Sequence, residues 1–313
     1  MEQARPAERK GQAPGNGRRD EAVVQAIQEH YAGIARRAAR LDDGQPPTGC
    51  GCSTSGRGCC SGASAYSPEE HAELPGQALA ASAGCGNPVA LARLHPGEMV
   101  LDLGSGGGID VLLAARRVGP GGFAWGIDLT DEMLALAEAN RRRAGLDNVA
   151  FLKGRIEAVP LPASSVDVVI SNCVINLSVD KAAALREAAR VLRPGGRLAV
   201  YDVIALEPLP AAVRLDLKAW SRCEAGALDA ATYERLLQEA GLTDVEILPV
   251  SAPQSTCCGG ECRDDDDAGQ GLPVASAFIR ARKPGPVGFG RASLSVEPAL
   301  RADLPAILHL LAA

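Results

Sequence analysis

The sequence predicts an α/β protein built on a doubly wound, mostly parallel sheet of seven strands, preceded by a helix and a cysteine-rich loop. Two patterns carry that expectation. From about Met99 onward, short apolar runs alternate with stretches of helical length, as expected of a largely parallel sheet covered by helices on both faces. Between the first run and the first helix lies "LGSGGGID", a glycine-rich turn whose missing side chains let a ligand approach the backbone closely.

Taken in order, "MVLDL" from Met99 is the first strand and "IDVLLAARRV" from Ile109 the helix after it. "FAWGID" is the second strand, followed by a helix from Asp131 to about Ala144, with Thr130 as its N-cap. "VAFLK", "VDVVIS" and "RLAVYDVI" read as three more strands, with a helix from about Asp180 to Leu192 ended by "RPGG". A last helix near Ala230 to Ala240, stopped by Gly241, precedes the strands "DVEILPV" and "VASAFIRA". Ahead of the sheet, Val23, Ile27, Tyr31, Ile34, Ala38 and Leu41 follow helical spacing from Asp20, giving an amphipathic helix that must dock on something. Residues 1–19 hold little to bury and are expected to be disordered. Four segments result: 1–19, the helix and cysteine-rich loop at 20–98, the sheet domain at 99–283, and a tail at 284–313.

Composition narrows the function classes. With 313 residues, 46% hydrophobic and a net charge of -6, the chain has a sizeable core and no sustained basic run. Nucleic acid and anionic membranes are therefore not expected as partners, and "RRR" at Arg141–Arg143 reads as a solvated helix face. The N-terminus lacks the apolar core of a signal peptide, and no stretch approaches the roughly 20 apolar residues of a membrane helix. A cytoplasmic location follows, where thiols stay reduced. The ten cysteines (Cys50, Cys52, Cys59, Cys60, Cys85, Cys173, Cys223, Cys257, Cys258 and Cys262) are accordingly expected as ligands or redox groups and not as a disulfide framework.

The glycine turn gains meaning from the second strand. Asp128 closes "WGID" about 20 residues further on, where a carboxylate can bond both hydroxyls of a ribose. A dinucleotide fits less well, because Asp102 under the loop would repel a pyrophosphate. A cationic ligand, such as the sulfonium and ammonium groups of S-adenosylmethionine, suits the same acid.

"VLDLGSGG", "GID" and "LRPGGRLAV" resemble the class I S-adenosylmethionine-dependent methyltransferases, whose Rossmann-like sheet carries a reversed last strand. More narrowly, "GCGNP" at Gly84–Pro88, "LGSGGGIDVLLAARRVGP", "ISNCVINLSVDK" and "CEAGAL" from Cys223 are similar to the arsenite methyltransferases, over about residues 23–283. That resemblance implies that Asp102, Gly104, Ser105 and Gly106 hold the methionine part of S-adenosylmethionine and Asp128 its ribose. It further implies that Met133 packs on adenine, that Ile156 and Glu157 reach the base edge, and that Asn172 closes the site. Cys173 and Cys223 are the implied pair for trivalent arsenic, with Cys85 as third ligand and Cys50 or Cys52 as an additional one.

Chemistry supports a thiol set independently. A soft thiophilic centre prefers thiolate, and three thiolates leave the arsenic lone pair free as nucleophile. The thiol in "SNCVIN" then stands at a strand end, where a methyl group arrives. No general base is needed once the thiols have lost their protons, and His30, His71, His95 and His309 show no motif. Arsenite and methylarsenite are the implied substrates, with glutathione or thioredoxin as reductant. The rival is a thiol-rich metalloid or zinc sensor on the same fold, since Cys50, Cys52, Cys59 and Cys60 could close a tetrahedron, although C-x-C-x6-C-C lacks paired C-x2-C knuckles. "CCGGECRDDDD" from Cys257 reads either as an acidic insertion or as a capture site for arsenic. "LSVEPALRADLPAILHLLAA" looks like the opening of an N-acetyltransferase domain, too short to bind acetyl-coenzyme A.

Overall fold

In the computed structural model the chain is described over residues 16–41, 65–250 and 272–285. The N-terminal part is helical: α1 (Asn16–Ala38), then α2 (Pro68–Ala72), α3 (Gly76–Ala80) and α4 (Pro88–Ala92). Strand and helix then alternate as β1 (Met99–Leu103), α5 (Ile109–Val118), β2 (Phe123–Asp128), α6 (Asp131–Ala144), β3 (Val149–Lys153), β4 (Val166–Asn172), α7 (Lys181–Val191) and β5 (Leu192–Ala205). After β5 come α8 (Ala211–Leu215), α9 (Leu217–Ser221), β6 (Leu228–Asp229), α10 (Ala230–Glu239), β7 (Thr243–Pro249) and β8 (Val274–Arg282).

The sheet order is β3-β2-β1-β4-β5-β8-β7, with β6 beside the end of β5. Strands β1 to β5 are mutually parallel, while β8 runs antiparallel to both β5 and β7, so the last strand is reversed as the resemblance implied. The chain changes direction of winding between β1 and β4, which opens a crevice at their carboxyl ends.

Side-chain alternation divides the core between the two faces. Leu101, Leu103, Val169, Leu198 and Val200 pack with α7 and α10 on one side; Val100, Val168, Ile170 and Ala199 pack with α5 on the other. Each such fully buried Leu, Val or Ile side chain contributes about 1.5–3 kcal/mol relative to exposure. Strands covered on both faces explain the near-continuous apolar runs in the sequence.

Several elements differ from expectation for identifiable reasons. The helix α1 begins at Asn16 and ends at Ala38, leaving Leu41 beyond it. The "RPGG" segment does not break the sheet: the register jumps from Val166–Leu192 to Val168–Arg197, and the Pro-Gly-Gly stretch is taken up as a bulge within β5. Gly195 and Gly196 continue the pairing through Lys283, with N–H donation from Gly195 to Lys283 and from Lys283 to Gly196, each 2.9 Å. Thr130 occupies the N-cap position of α6 without a side-chain cap bond, its hydroxyl turned to Asp128, and Asp131 and Glu132 complement the helix dipole. Arg141 is not merely solvated, since it donates to Leu146 O at 2.9 Å beyond the end of α6. Among the described residues no helix is long and apolar enough to cross a membrane. The expectations for 1–15, for Cys50, Cys52, Cys59 and Cys60, for Cys257, Cys258 and Cys262, and for 286–313 lie outside the described residues.

Candidate active site

The turn after β1 is fixed by its own backbone. Gly104 and Ser105 both donate N–H to Ile127 O at 2.9 Å, which brings the turn against the end of β2. Gly104 sits at φ +74, where a Cβ would also run into the Val174 side chain, so glycine is required on two counts. Gly106, at φ +50, donates its N–H to Asp128 Oδ2 at 2.9 Å, and Thr130 donates to Oδ1 at 2.8 Å. Asp128 thus holds the loop as well as facing the crevice. Burial pushes its carboxyl above the usual range, against these stabilising bonds.

A cavity opens between this turn, β2, β4 and α1. Gly104, Ser105, Gly106, Asp128, Met133, Ile156, Glu157 and Asn172 all line it, so eight of the nine residues expected around a cofactor meet in one place. Asp102 does not: it lies beneath the turn, 2% exposed, with Oδ1 buried and unbonded. Its carboxyl is pushed well up by burial and by neighbouring Asp110 and Asp128. Glu157 accepts from Ser178 Oγ at 2.5 Å and pairs with Arg155 at 3.3 Å, so it is held at the rim and not free in solvent.

One residue not singled out in the sequence, Asp110, joins this wall. Asp110, 3% exposed in the first turn of α5, accepts from Tyr66 Oη at 2.8 Å and from Asn172 Nδ2 at 3.3 Å. Burial pushes its carboxyl up to about 7, with the Tyr66 and Asn172 bonds opposing the rise and Glu70 adding to it. Nothing in local spacing announces a partner 44 residues away; an acid in a helix otherwise buried along its length was the one available signal.

Asn172 joins the cavity to the cysteines. Its Oδ1 accepts N–H from Cys85 at 3.0 Å and Gly86 at 3.3 Å, while Nδ2 donates to Gly86 O at 2.7 Å. A Cβ on Gly84 would overlap this amide, which explains glycine before Cys85. Cys173 follows Asn172 in the left-handed region, φ 58, its N–H donating to Tyr201 O at 2.8 Å. Cys223, also left-handed at φ 63, donates its Sγ–H to Cys173 O at 2.7 Å. The three cysteines expected as a set therefore come together where β4 ends, although 88 residues separate Cys85 from Cys173.

Two of these three cysteines are paired with each other. Cys85 and Cys173 form a disulfide with Cα atoms 6.1 Å apart, and Cys223 lies buried outside that bond. The convergence that makes a thiol set also brings two sulfurs within bonding reach. Among the described residues no three His, Cys, Asp or Glu side chains stand ready for a metal ion. A small cavity beside Cys173 and Cys223 is lined also by His30, Tyr31, Ala83, Val203, Ser221 and Arg222. His30, expected as ordinary packing, is held below its usual pKa first by burial and then by Arg37 and Arg222. On the other side, Lys181 Nζ sits 4.7 Å from the Trp220 ring centroid and donates to Ser178 O at 2.8 Å. Burial draws its pKa down to about 8, with Asp202 and Cys223 opposing.

A methyltransferase-domain family matches residues 94–241. The arsenite methyltransferase of Halobacterium salinarum is 41% identical over 84% of this chain and 67% of the relative. The chain belongs to the arsenite methyltransferase family. The family's Aquipseudomonas alcaligenes member is 43% identical over 55% of this chain, which spans about half, 52%, of that relative. The crystal structure of an arsenic(III) S-adenosylmethionine methyltransferase from Chlamydomonas reinhardtii matches with a TM-score of 0.54 and 34% identity, covering 72% of this chain and 73% of that one. The fold is that of the class I S-adenosylmethionine-dependent methyltransferases, as the sequence motifs implied.

Proposed function

We propose that this protein transfers methyl groups from S-adenosylmethionine to trivalent arsenic held by Cys173 and Cys223, with Cys85 as a third sulfur once its disulfide is reduced. The observation that carries the reading is the placement of these cysteines against Asn172, a side chain that also walls the large cavity. The cavity suits the cofactor: Ser105 Oγ and Asp102 Oδ1 are buried without partners, and Asp102, Asp110 and Asp128 together favour a cation. When bound, S-adenosylmethionine supplies a sulfonium-activated methyl group.

The residues of this chain provide location and dryness. Asp128 and Glu157 would hold the ribose and the base edge, with Met133 packed on adenine. The buried Cys173 and Cys223 would fix arsenic with its lone pair towards the methyl carbon and exclude water. The arsenic lone pair forms the As–C bond as the S–C bond breaks, its electrons staying on sulfur. Arsenic is thereby raised from As(III) to As(V), and return to As(III) needs two electrons. Two thiols supply that number on forming a disulfide, and Cys85 and Cys173 are placed to form one. Glutathione or thioredoxin would then restore the thiols, which places the reaction in the reducing cytosol. No observation favours the sensor alternative. Incubation of the reduced protein with arsenite, S-adenosylmethionine and a thiol should give methylated arsenicals and one S-adenosylhomocysteine for each methyl group transferred; cofactor turnover without arsenic methylation would refute the reading.

A further inference from the structure

Tyr31 connects the two halves of the site. Its ring and the small Ala83 line both the large cofactor cavity and the small cavity beside Cys173 and Cys223. It packs against two separate apolar clusters, one containing Met133 and Leu136 on the cofactor side and one containing Cys173, Leu177 and Cys223 on the thiol side. Its hydroxyl reaches Ser221 O at 3.4 Å, at the end of α9 and two residues before Cys223, and His30 meets its ring edge-on with centroids 5.2 Å apart.

The helix that carries Tyr31 is fastened on both sides of it. Arg36 pairs with Glu132 of α6 at 2.6 Å, whereas Arg19 donates to Arg214 O of α8 at 2.7 Å. Gln28 reaches Leu129 O at 3.4 Å, directly after Asp128. A flat, stiff ring on a helix stapled to both halves can pass a change in one cavity to the other, because close-packed groups shift together or not at all.

We infer that Tyr31 is a positioning residue: its ring is the partition that aligns the Cys223 turn with the cofactor cavity and links cofactor occupancy to the exposure of Cys223. The inference rests on the proposed arsenic chemistry for its effect on turnover, but the linkage itself is measurable without arsenic.

The experiment compares the reduced full chain with its Tyr31→Ala and Tyr31→Phe variants. One readout is the rate of Cys223 alkylation, followed by peptide mass spectrometry with and without saturating S-adenosylhomocysteine. The other is the split between kcat and KM for arsenite methylation. In the parent, S-adenosylhomocysteine should slow Cys223 alkylation several-fold. Tyr31→Ala should lose this protection and about tenfold in kcat, with the cofactor KM changed less than about threefold, and Tyr31→Phe should restore both. Tyr31→Leu, which keeps bulk without the flat ring, carries the same test if the alanine variant does not fold. Parental kcat and protection in the alanine or leucine variant, or a loss that phenylalanine does not restore, would overturn the inference. Protection that depends on Tyr31 in a protein that does not methylate arsenite would instead sink the proposed function and leave the linkage standing.

Discussion

Asp110 should make cofactor binding depend on pH, in a direction set by its burial. Its carboxyl is pushed from 3.8 to about 7, so the folded protein holds this proton more tightly than the unfolded chain does. The stability this adds is fully present below the unfolded value and is lost as pH rises through the folded one. A cationic ligand in the cavity wants the opposite, ionised form. If Asp110 faces the cofactor's ammonium, binding must first remove the proton, and the apparent Kd scales as one plus the ratio of protonated to ionised acid. That factor falls by roughly an order of magnitude between pH 5.5 and pH 7, so affinity should rise about tenfold across the window, or about 1–2 kcal/mol. The window stops at pH 7 because α-amino groups begin to lose their own proton above it, near 7.7–8.0. Calorimetric titration with S-adenosylmethionine in two buffers of different ionisation enthalpy gives both the affinity and the protons released. Asp110→Asn should flatten the dependence and abolish the release. An equally steep profile in that variant, or a flat one in the parent, would refute the assignment.

Asp128→Ala should weaken cofactor binding while leaving arsenite binding to the reduced protein nearly intact, at a cost of about 1.5–3 kcal/mol for each charge-assisted hydrogen bond lost. Because Asp128 also accepts from Gly106 and Thr130, a lower melting temperature should accompany the loss, read by calorimetry and thermal denaturation. Reduction with a phosphine should expose two further thiols, at Cys85 and Cys173, and arsenite should bind tightly only afterwards; equal affinity before reduction would show that neither residue is a ligand.

Most of the sheet was legible because its strands are covered on both faces and their apolar runs are bounded by turn residues. The run "MVLDL", the glycine turn and "IDVLLAARRV" fall at β1, the loop and α5 with the expected bounds. The five-residue helices around Pro68–Ala92 were not, since one turn and a half shows no period; they depend on long-range contacts such as Gln77 donating to Leu41 O at 2.7 Å. The cofactor wall was readable where it is carried by a strand end, as at Asp128 and Asn172. Asp110 and Tyr31 were not, because their roles arise from partners far away in sequence, such as Tyr66 for Asp110. Cysteine type and position pointed to arsenic chemistry, but pairing depends on distance in space, and Asn172 fastens the Cys85 loop to β4 beside Cys173.

Valence supplies the sharpest test. Arsenite has three exchangeable oxygen ligands, whereas methylarsenite has two because one position is already carbon. A third sulfur should therefore matter for the first methylation and less for the next. The measurement is arsenic product speciation for the reduced parent and for Cys85→Ser, Cys173→Ser and Cys223→Ser, with each substrate at equal enzyme concentration; serine keeps the size but offers a hard hydroxyl in place of a soft thiolate. With the external thiol in excess to supply the two electrons directly, Cys85→Ser should severely slow arsenite methylation yet retain substantial turnover of methylarsenite, and the other two variants should lose both. Parental turnover of methylarsenite by Cys223→Ser would contradict the account and require arsenic to be held elsewhere.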